Sequence, residues 1–180
     1  MPLSLGTLTA VPALERPDLL GEPVRAALAG LPAVAGRVGV VQIDPDLADT
    51  AACAEAYELP MESGANCVVV AGRRDGHERV AALMVRADTR ADVNNVVKRL
   101  LDVRKCSFLP MDRAVEESAM EYGGITPVGL PTQWRLLIDA RVVDIPVAVI
   151  GSGIRGSKIL VPGSALADLP GAEVVEGLAG

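Results

Sequence analysis

A chain of 180 residues is long enough for one domain with a substantial buried core, and its net charge of −6 argues against a general nucleic-acid binder. Half the residues are hydrophobic and only 2% aromatic, so the core must be built from small and medium aliphatic side chains. No apolar run approaches the ~20 residues that span a bilayer, and the start Met1-Pro2-Leu3-Ser4 lacks the basic residues of a signal peptide. A cytoplasmic protein with no membrane contact is the expectation.

Residues 1 to 17 are rich in Pro and Leu without a clear period and read as an arm or strap. Glu22 to Leu31 reads as a short helix ended near Gly30 and Pro32, and Arg37 to Ile43 as a β-branched strand stopped by Asp44-Pro45. Asp49 or Thr50 caps a helix through about Glu58, which Leu59-Pro60 ends. Asn66 to Ala71 is a buried strand, Arg73-Arg74-Asp75-Gly76 a turn, and Arg79 to Arg86 the antiparallel return. Asp88 to Asp102 carries an apolar face of Val93, Val96, Val97, Leu100 and Leu101 and is predicted helical. A short strand at Cys106 to Leu109, a helix from Met111 to Glu121 and a strand at Arg135 to Asp139 follow. Val147 to Ile150 and Lys158 to Val161 complete the strands, and Ser164 to Leu169 starts a last helix. Residues 1–43 are expected to belong to the same domain as 44–180. The fold class is α+β: a single compact domain with a curved, mixed but mostly antiparallel sheet flanked by helices.

The chemistry concentrates in Tyr122-Gly123-Gly124-Ile125-Thr126-Pro127-Val128-Gly129. Paired glycines let main-chain N–H groups turn toward a bound group, and Pro127 stiffens the loop. Such a loop can hold a phosphate or polarise an ester carbonyl; it can equally be a helix C-cap and turn. Downstream, the apolar strand Val147 to Ile150 runs into Gly151-Ser152-Gly153-Ile154-Arg155-Gly156, and a further strand begins at Lys158. This order of glycine loop, strand ending in Asp139, glycine turn, strand and short helix resembles the YbaK/EbsC family. That family comprises aminoacyl-tRNA deacylases and the editing insertion of bacterial prolyl-tRNA synthetases.

The resemblance implies a trans-editing hydrolase that cleaves the ester of a mischarged aminoacyl-tRNA; the alternative is a binding module that kept the fold and lost the chemistry. It implies that Gly123, Gly124, Ile125, Thr126 and Pro127 hold the ester carbonyl and terminal ribose through backbone groups, and that Gly151, Ser152 and Gly153 line the pocket. Asp139 matches an acid with a structural or a substrate role. The family lysine at the start of a central strand is replaced here by Asn66, while Lys158 stands where an acid is frequent. Lys158 either reaches the pocket from the opposite wall or points to solvent. The partner implied is the 3′ end of an aminoacyl-tRNA, bound weakly and in a salt-dependent way, with an aminoacyl-tRNA synthetase as a second candidate. No amino-acid preference carries over.

Other chemistries find little support in the residues. The single histidine, His77, sits at a turn, so no Ser-His-Asp arrangement can be drawn. Cys53, Cys67 and Cys106 are widely spaced and form no metal-ligand pattern; no cofactor is implied. A basic set, Arg73, Arg74, Arg79, Arg86, Arg90, Lys98, Arg99, Arg104 and Lys105, has two readings: solvated faces, or, with Arg155, a border to the cleft that meets RNA.

Overall fold

The computed structural model describes residues 2–180. The N-terminal segment is not a loose strap: β1 (Ser4–Leu5) and β2 (Leu8–Thr9) form a small ladder. β3 (Val11–Pro12) then adds to the sheet behind it. Helices α1 (Glu22–Ala29) and α2 (Pro32–Ala35) follow, each with a proline in its first turn, where the missing N–H costs nothing. β4 (Gly39–Gln42) leads into α3 (Thr50–Ala56) and the long hairpin of β5 (Ala65–Arg74) and β6 (His77–Arg86).

Asp75 and Gly76 both take positive φ, 51° and 79°, the pair that a two-residue turn matched to strand twist requires. The hairpin pairs antiparallel as expected, but its turn is shorter than the four residues from Arg73: the ladder runs from Ala65 opposite Arg86 to Arg74 opposite His77, with Asn66 opposite Val85.

The helix expected over Asp88 to Asp102 is much shorter. Ala91 is tied to Ala179 by a bridge, and Asp92 caps a π-helical turn at Val93–Val97 that runs into α4 (Lys98–Leu100). β7 (Cys106–Phe108) and α5 (Met111–Ser118) follow. α5 stops three residues before Glu121 because Ala119 turns left-handed, φ 56°. The last third holds β8 (Arg135–Asp139), α6 (Ala140–Val143), β9 (Ala148–Gly151), β10 (Ser157–Val161), α7 (Gly163–Leu166) and β11 (Ala172–Val175).

The strands form two main sheets in the orders β3-β4-β10-β9 and β11-β8-β6-β5-β7, mostly antiparallel, with β8 parallel to both β6 and β11. The one curved sheet expected is thus two sheets, and a parallel bridge from Gly64 to Val149 links them beside the start of β5. β6 shows why the core is layered. Ala82 and Met84 face the larger apolar cluster with α1, β8 and β10, while Ala81, Leu83 and Val85 face the π-helical turn and α4. Leu83 and Met84, fully buried on opposite faces, each contribute about 1.5–3 kcal/mol, so one strand anchors both layers.

Asp139 also serves the scaffold. Its carboxylate accepts from the Arg141 N–H at 3.0 Å and the Ala179 N–H at 2.9 Å, capping α6 and holding the C-terminus. Burial raises its pKa, but the Arg141 guanidinium and these N–H groups outweigh it and hold the carboxyl below its ordinary value. Among the described residues, no helix is long and apolar enough to cross a membrane.

Candidate active site

β7 pairs only with Val70 to Gly72 of β5, leaving the start of β5 as a sheet edge beside the Gly64–Val149 joint. A cavity of 370 Å³ opens there, walled by α3 on one side, β5 on the second, and β9 and β10 on the third. That volume falls in the range of small-molecule sites. Its lining is mainly small and aliphatic: Ala48, Ala54, Leu59, Met61 and Val149, with polar groups from Asp49, Thr50, Asn66 and Lys158.

The glycine loop closes the cavity. Gly123, φ 79°, lies so near Arg155 that a Cβ there would come within 2.6 Å of Nη1. Gly124 and Gly151 lie backbone to backbone: a Cβ on Gly151 would meet the Gly124 oxygen at 2.5 Å. The contact is sealed by hydrogen bonds from the Gly153 N–H to the Gly124 carbonyl, 2.7 Å, and from the Glu121 N–H to the Gly153 carbonyl, 2.9 Å. The two glycine segments that sequence reasoning singled out therefore meet, and both reach the cavity, through Gly123, Ile125 and Gly151. Neither the Gly123 nor the Ile125 N–H is among the donors used by the hydrogen bonds that hold the loop.

Lys158 pairs with Gly151 across the β9–β10 ladder and points into the cavity, not to solvent. Only 9% of its surface is exposed. Nζ donates to the Ala48 carbonyl at 2.9 Å, which leaves two of its three N–H donors for a ligand. Burial lowers its pKa below the ordinary lysine value; the Cys53 thiol opposes that, Arg155 adds to it, and Asp49 opposes it. Asn66 stands on the β5 wall of the same cavity. The Thr50 hydroxyl donates to its Oδ1 at 2.9 Å, so the Nδ2 donors are the end left for a ligand.

The remaining predicted residues support the site from behind. Ser152 is fully buried and spends its hydroxyl on Ser157 Oγ at 2.7 Å, and Ser157 in turn donates to the Leu19 carbonyl. Gly153 packs against Gly21 of the chain entering α1. Thr126 and Pro127 are buried beneath the loop, and Thr126 Oγ1 is the buried side-chain oxygen with no partner among the described residues. Arg155 is a tie, not a wall. Its guanidinium donates to the Tyr122 and Pro45 carbonyls at 3.2 Å each and lies over the Tyr122 ring. None of the basic residues from Arg73 to Lys105 lines the cavity, which corrects the expectation that they border it.

Sequence reasoning missed Thr50 and Cys53, although their i, i+3 spacing places them on one face of α3. Both cysteines that line the cavity are held as thiols. Burial pushes Cys67 up to about 12; burial also raises Cys53, against the pull of the Lys158 charge. Neither is an activated nucleophile. Among the described residues, no group of three or more His, Cys, Asp or Glu is placed to hold a metal.

The mixed sheets with their glycine-walled cavity are the architecture of an editing domain. The chain belongs to the aminoacyl-tRNA editing domain family, which it matches over residues 44–169. Among solved structures it is similar to a candidate trans-editing enzyme for prolyl-tRNA synthetase, at 20% identity and TM-score 0.71, covering 87% of this chain and 97% of that one. A hypothetical protein is similar at 18% identity and TM-score 0.73, over 84% and 97%. A candidate signal transduction protein from Marinobacter aquaeolei VT8 is similar at 16% identity and TM-score 0.56, over 87% of this chain and 30% of that one. No curated protein sequence matches the chain.

Proposed function

We propose that this protein hydrolyses the ester of a mischarged aminoacyl-tRNA, with Lys158 supplying the positive charge that the family resemblance places at the position of Asn66. The observation that carries this is the Lys158 ammonium inside the cavity, beside Gly151 and the loop that packs on it. The aminoacyl group enters the cavity with its carbonyl oxygen toward Nζ and the free N–H groups of Gly123 and Ile125. As water adds to the carbonyl carbon and gives up the proton that the leaving ribose oxygen later takes, the carbonyl oxygen becomes an anion that these donors stabilise more than they stabilise the ester. The C–O bond to the ribose then breaks and the ribose oxygen takes up a proton. Asn66 Nδ2 orients the ribose or the carbonyl from the β5 wall. The protein contributes position and electrostatics and no covalent intermediate. A cytoplasmic partner carrying a free 3′ aminoacyl end, alone or delivered by a synthetase, fits this reading.

The binding-module reading draws on the amide at position 66, which binds without stabilising an anion. A deacylation assay over a panel of mischarged tRNAs separates the two. The wild type is expected to release amino acid from at least one of them faster than the uncatalysed rate. No release from any, with retained binding, would leave the binding module.

A further inference from the structure

The hairpin carries its chemistry at one end and its charge at the other. Residues 73–113 hold ten Lys and Arg against six Asp and Glu, in a chain whose total is −6. At the distal end four carboxylates share three arginines: Asp75 lies 3.8 Å from Arg74, and Glu117 takes Arg113 at 2.7 Å. Asp102 takes Arg74 at 2.6 Å and Arg79 at 3.2 Å, and Glu78 takes Arg113 at 2.9 Å. Arg73, Arg104 and Lys105 remain exposed and in no ion pair among the described residues, although Arg73 stands across the ladder from Glu78, which Arg113 takes. The fold gathers them. Cys106 pairs with Gly72, and Gly72 has room for no side chain because the Lys105 carbonyl lies 2.5 Å from where its Cβ would sit. The Arg104-Lys105 backbone is thereby seated against β5 beside Arg73.

Two further observations give this edge a direction. Arg73 lies seven residues beyond Asn66 on the same strand, roughly 23 Å from the cavity at strand rise. Between them, opposite Val70, β7 carries Phe108, the one phenylalanine of the chain and 62% exposed. An exposed aromatic followed by unpaired cations suits a nucleic-acid strand better than an acidic protein, because bases stack and phosphates repeat.

We propose that the β7 edge is an RNA track: Phe108 stacks on a base of the unpaired 3′ end, and Arg73, Arg104 and Lys105 take phosphates of the stem behind it. This rests on the cavity holding the aminoacyl end of the same RNA. The track measures the distance from that end to the stem and selects an aminoacylated RNA over a free amino-acid ester.

The test uses an uncharged RNA hairpin with a single-stranded 3′ end, so it does not depend on hydrolysis. Its binding is measured at low and physiological salt for the wild type, for Arg73→Glu/Arg104→Glu/Lys105→Glu, for Phe108→Ala, and for Arg25→Glu on the exposed side of α1. The triple variant is expected to bind at least about tenfold more weakly, with the log–log salt slope reduced by about 1 for each phosphate no longer neutralised. Phe108→Ala is expected to weaken binding about fivefold with the slope unchanged, and Arg25→Glu to bind as the wild type does. Thermal melts establish that each variant is folded; single changes at Lys105 and Phe108 carry the test if the triple variant is not. The proposal is overturned if the wild type does not bind this RNA at low salt, if the edge variants bind as it does, or if Arg25→Glu weakens binding as much as the edge changes. Edge-dependent binding without hydrolysis of any ester would keep the track and remove the deacylase.

Discussion

β5 and β10 face each other across the cavity, and they differ in the polar group each presents to it. β5 presents an amide from a sheet edge; β10 presents an ammonium from the centre of its sheet, where all five residues are buried. A lysine on an edge can reach solvent with its charged end. On β10 it cannot, and the charge is held in a desolvated place with one carbonyl partner. A fold that keeps an ammonium there gives up stability for it, which is the expected signature of a functional cation.

The sharpest way to break the comparison is to remove the ammonium. Lys158→Ala is expected to lower the deacylation rate on the order of a hundredfold with substrate binding weakened less, because the charge acts mainly on the developing oxyanion. In the wild type the rate above background should fall as pH rises through the depressed lysine pKa, below the ordinary 10.5, since only the charged form serves. Single-turnover kinetics over a pH series measures both. An unchanged rate in the variant would place catalysis on the loop N–H groups alone.

Moving the charge to the other wall comes next. Asn66→Lys in the Lys158→Ala background is expected to recover at least about tenfold of the lost rate, since either wall can place an ammonium at the carbonyl oxygen. No recovery would mean that the β10 wall supplies geometry that β5 cannot.

The loop contact tests whether β9 is a spectator. Gly151→Ala drives a methyl to 2.5 Å from the Gly124 oxygen, so the loop must shift or the strand must give. The expected cost is about 1–3 kcal/mol in a denaturant melt, with several-fold slower deacylation as the Gly123 and Ile125 donors lose aim. A melt that slips while the rate holds would detach the loop from the chemistry.

These contrasts were unequally legible in the sequence. Asp75-Gly76 fixes the hairpin because its positive φ pair admits few residue types, and the register of Asn66 follows from that turn. The facing of Lys158 could not be read, because Ser157 to Val161 is buried throughout and shows no alternation. The meeting of the Gly124 and Gly151 segments is a long-range backbone contact; the glycines mark that something comes close without saying what. The junction between the sheets is marked by the bridge from Gly64 to Val149, which no local pattern announces. β11 was missed because four residues that pair parallel with β8 leave no periodic trace. The apolar face at Val93 to Leu101 was correctly seen as packed. The expected helical start at Asp88 failed because the Ala91–Ala179 bridge took the backbone first.

The smallest expected effect concerns stability and carries its own sign. Lys158→Met keeps the stem volume and removes a buried charge, so it should stabilise the protein while lowering the deacylation rate as Lys158→Ala does. A gain of about 1 kcal/mol at neutral pH is expected from the relieved desolvation, or about 2–4 °C in melting temperature for a chain of this size. The lysine pKa is lowered on folding, from its ordinary 10.5. Below the folded value both states carry the proton and the penalty is fully present. Between the folded value and 10.5 the unfolded chain binds a proton that the folded chain has released, so the wild type grows more stable with rising pH relative to the methionine variant. The advantage of Lys158→Met should therefore shrink as pH rises through that window, which paired thermal melts at neutral and alkaline pH would show. A variant that melts below the wild type at neutral pH would mean that the Ala48 hydrogen bond outweighs the cost of burial. β10 would then hold its lysine for the fold, and the contrast between the two walls would no longer point to catalysis.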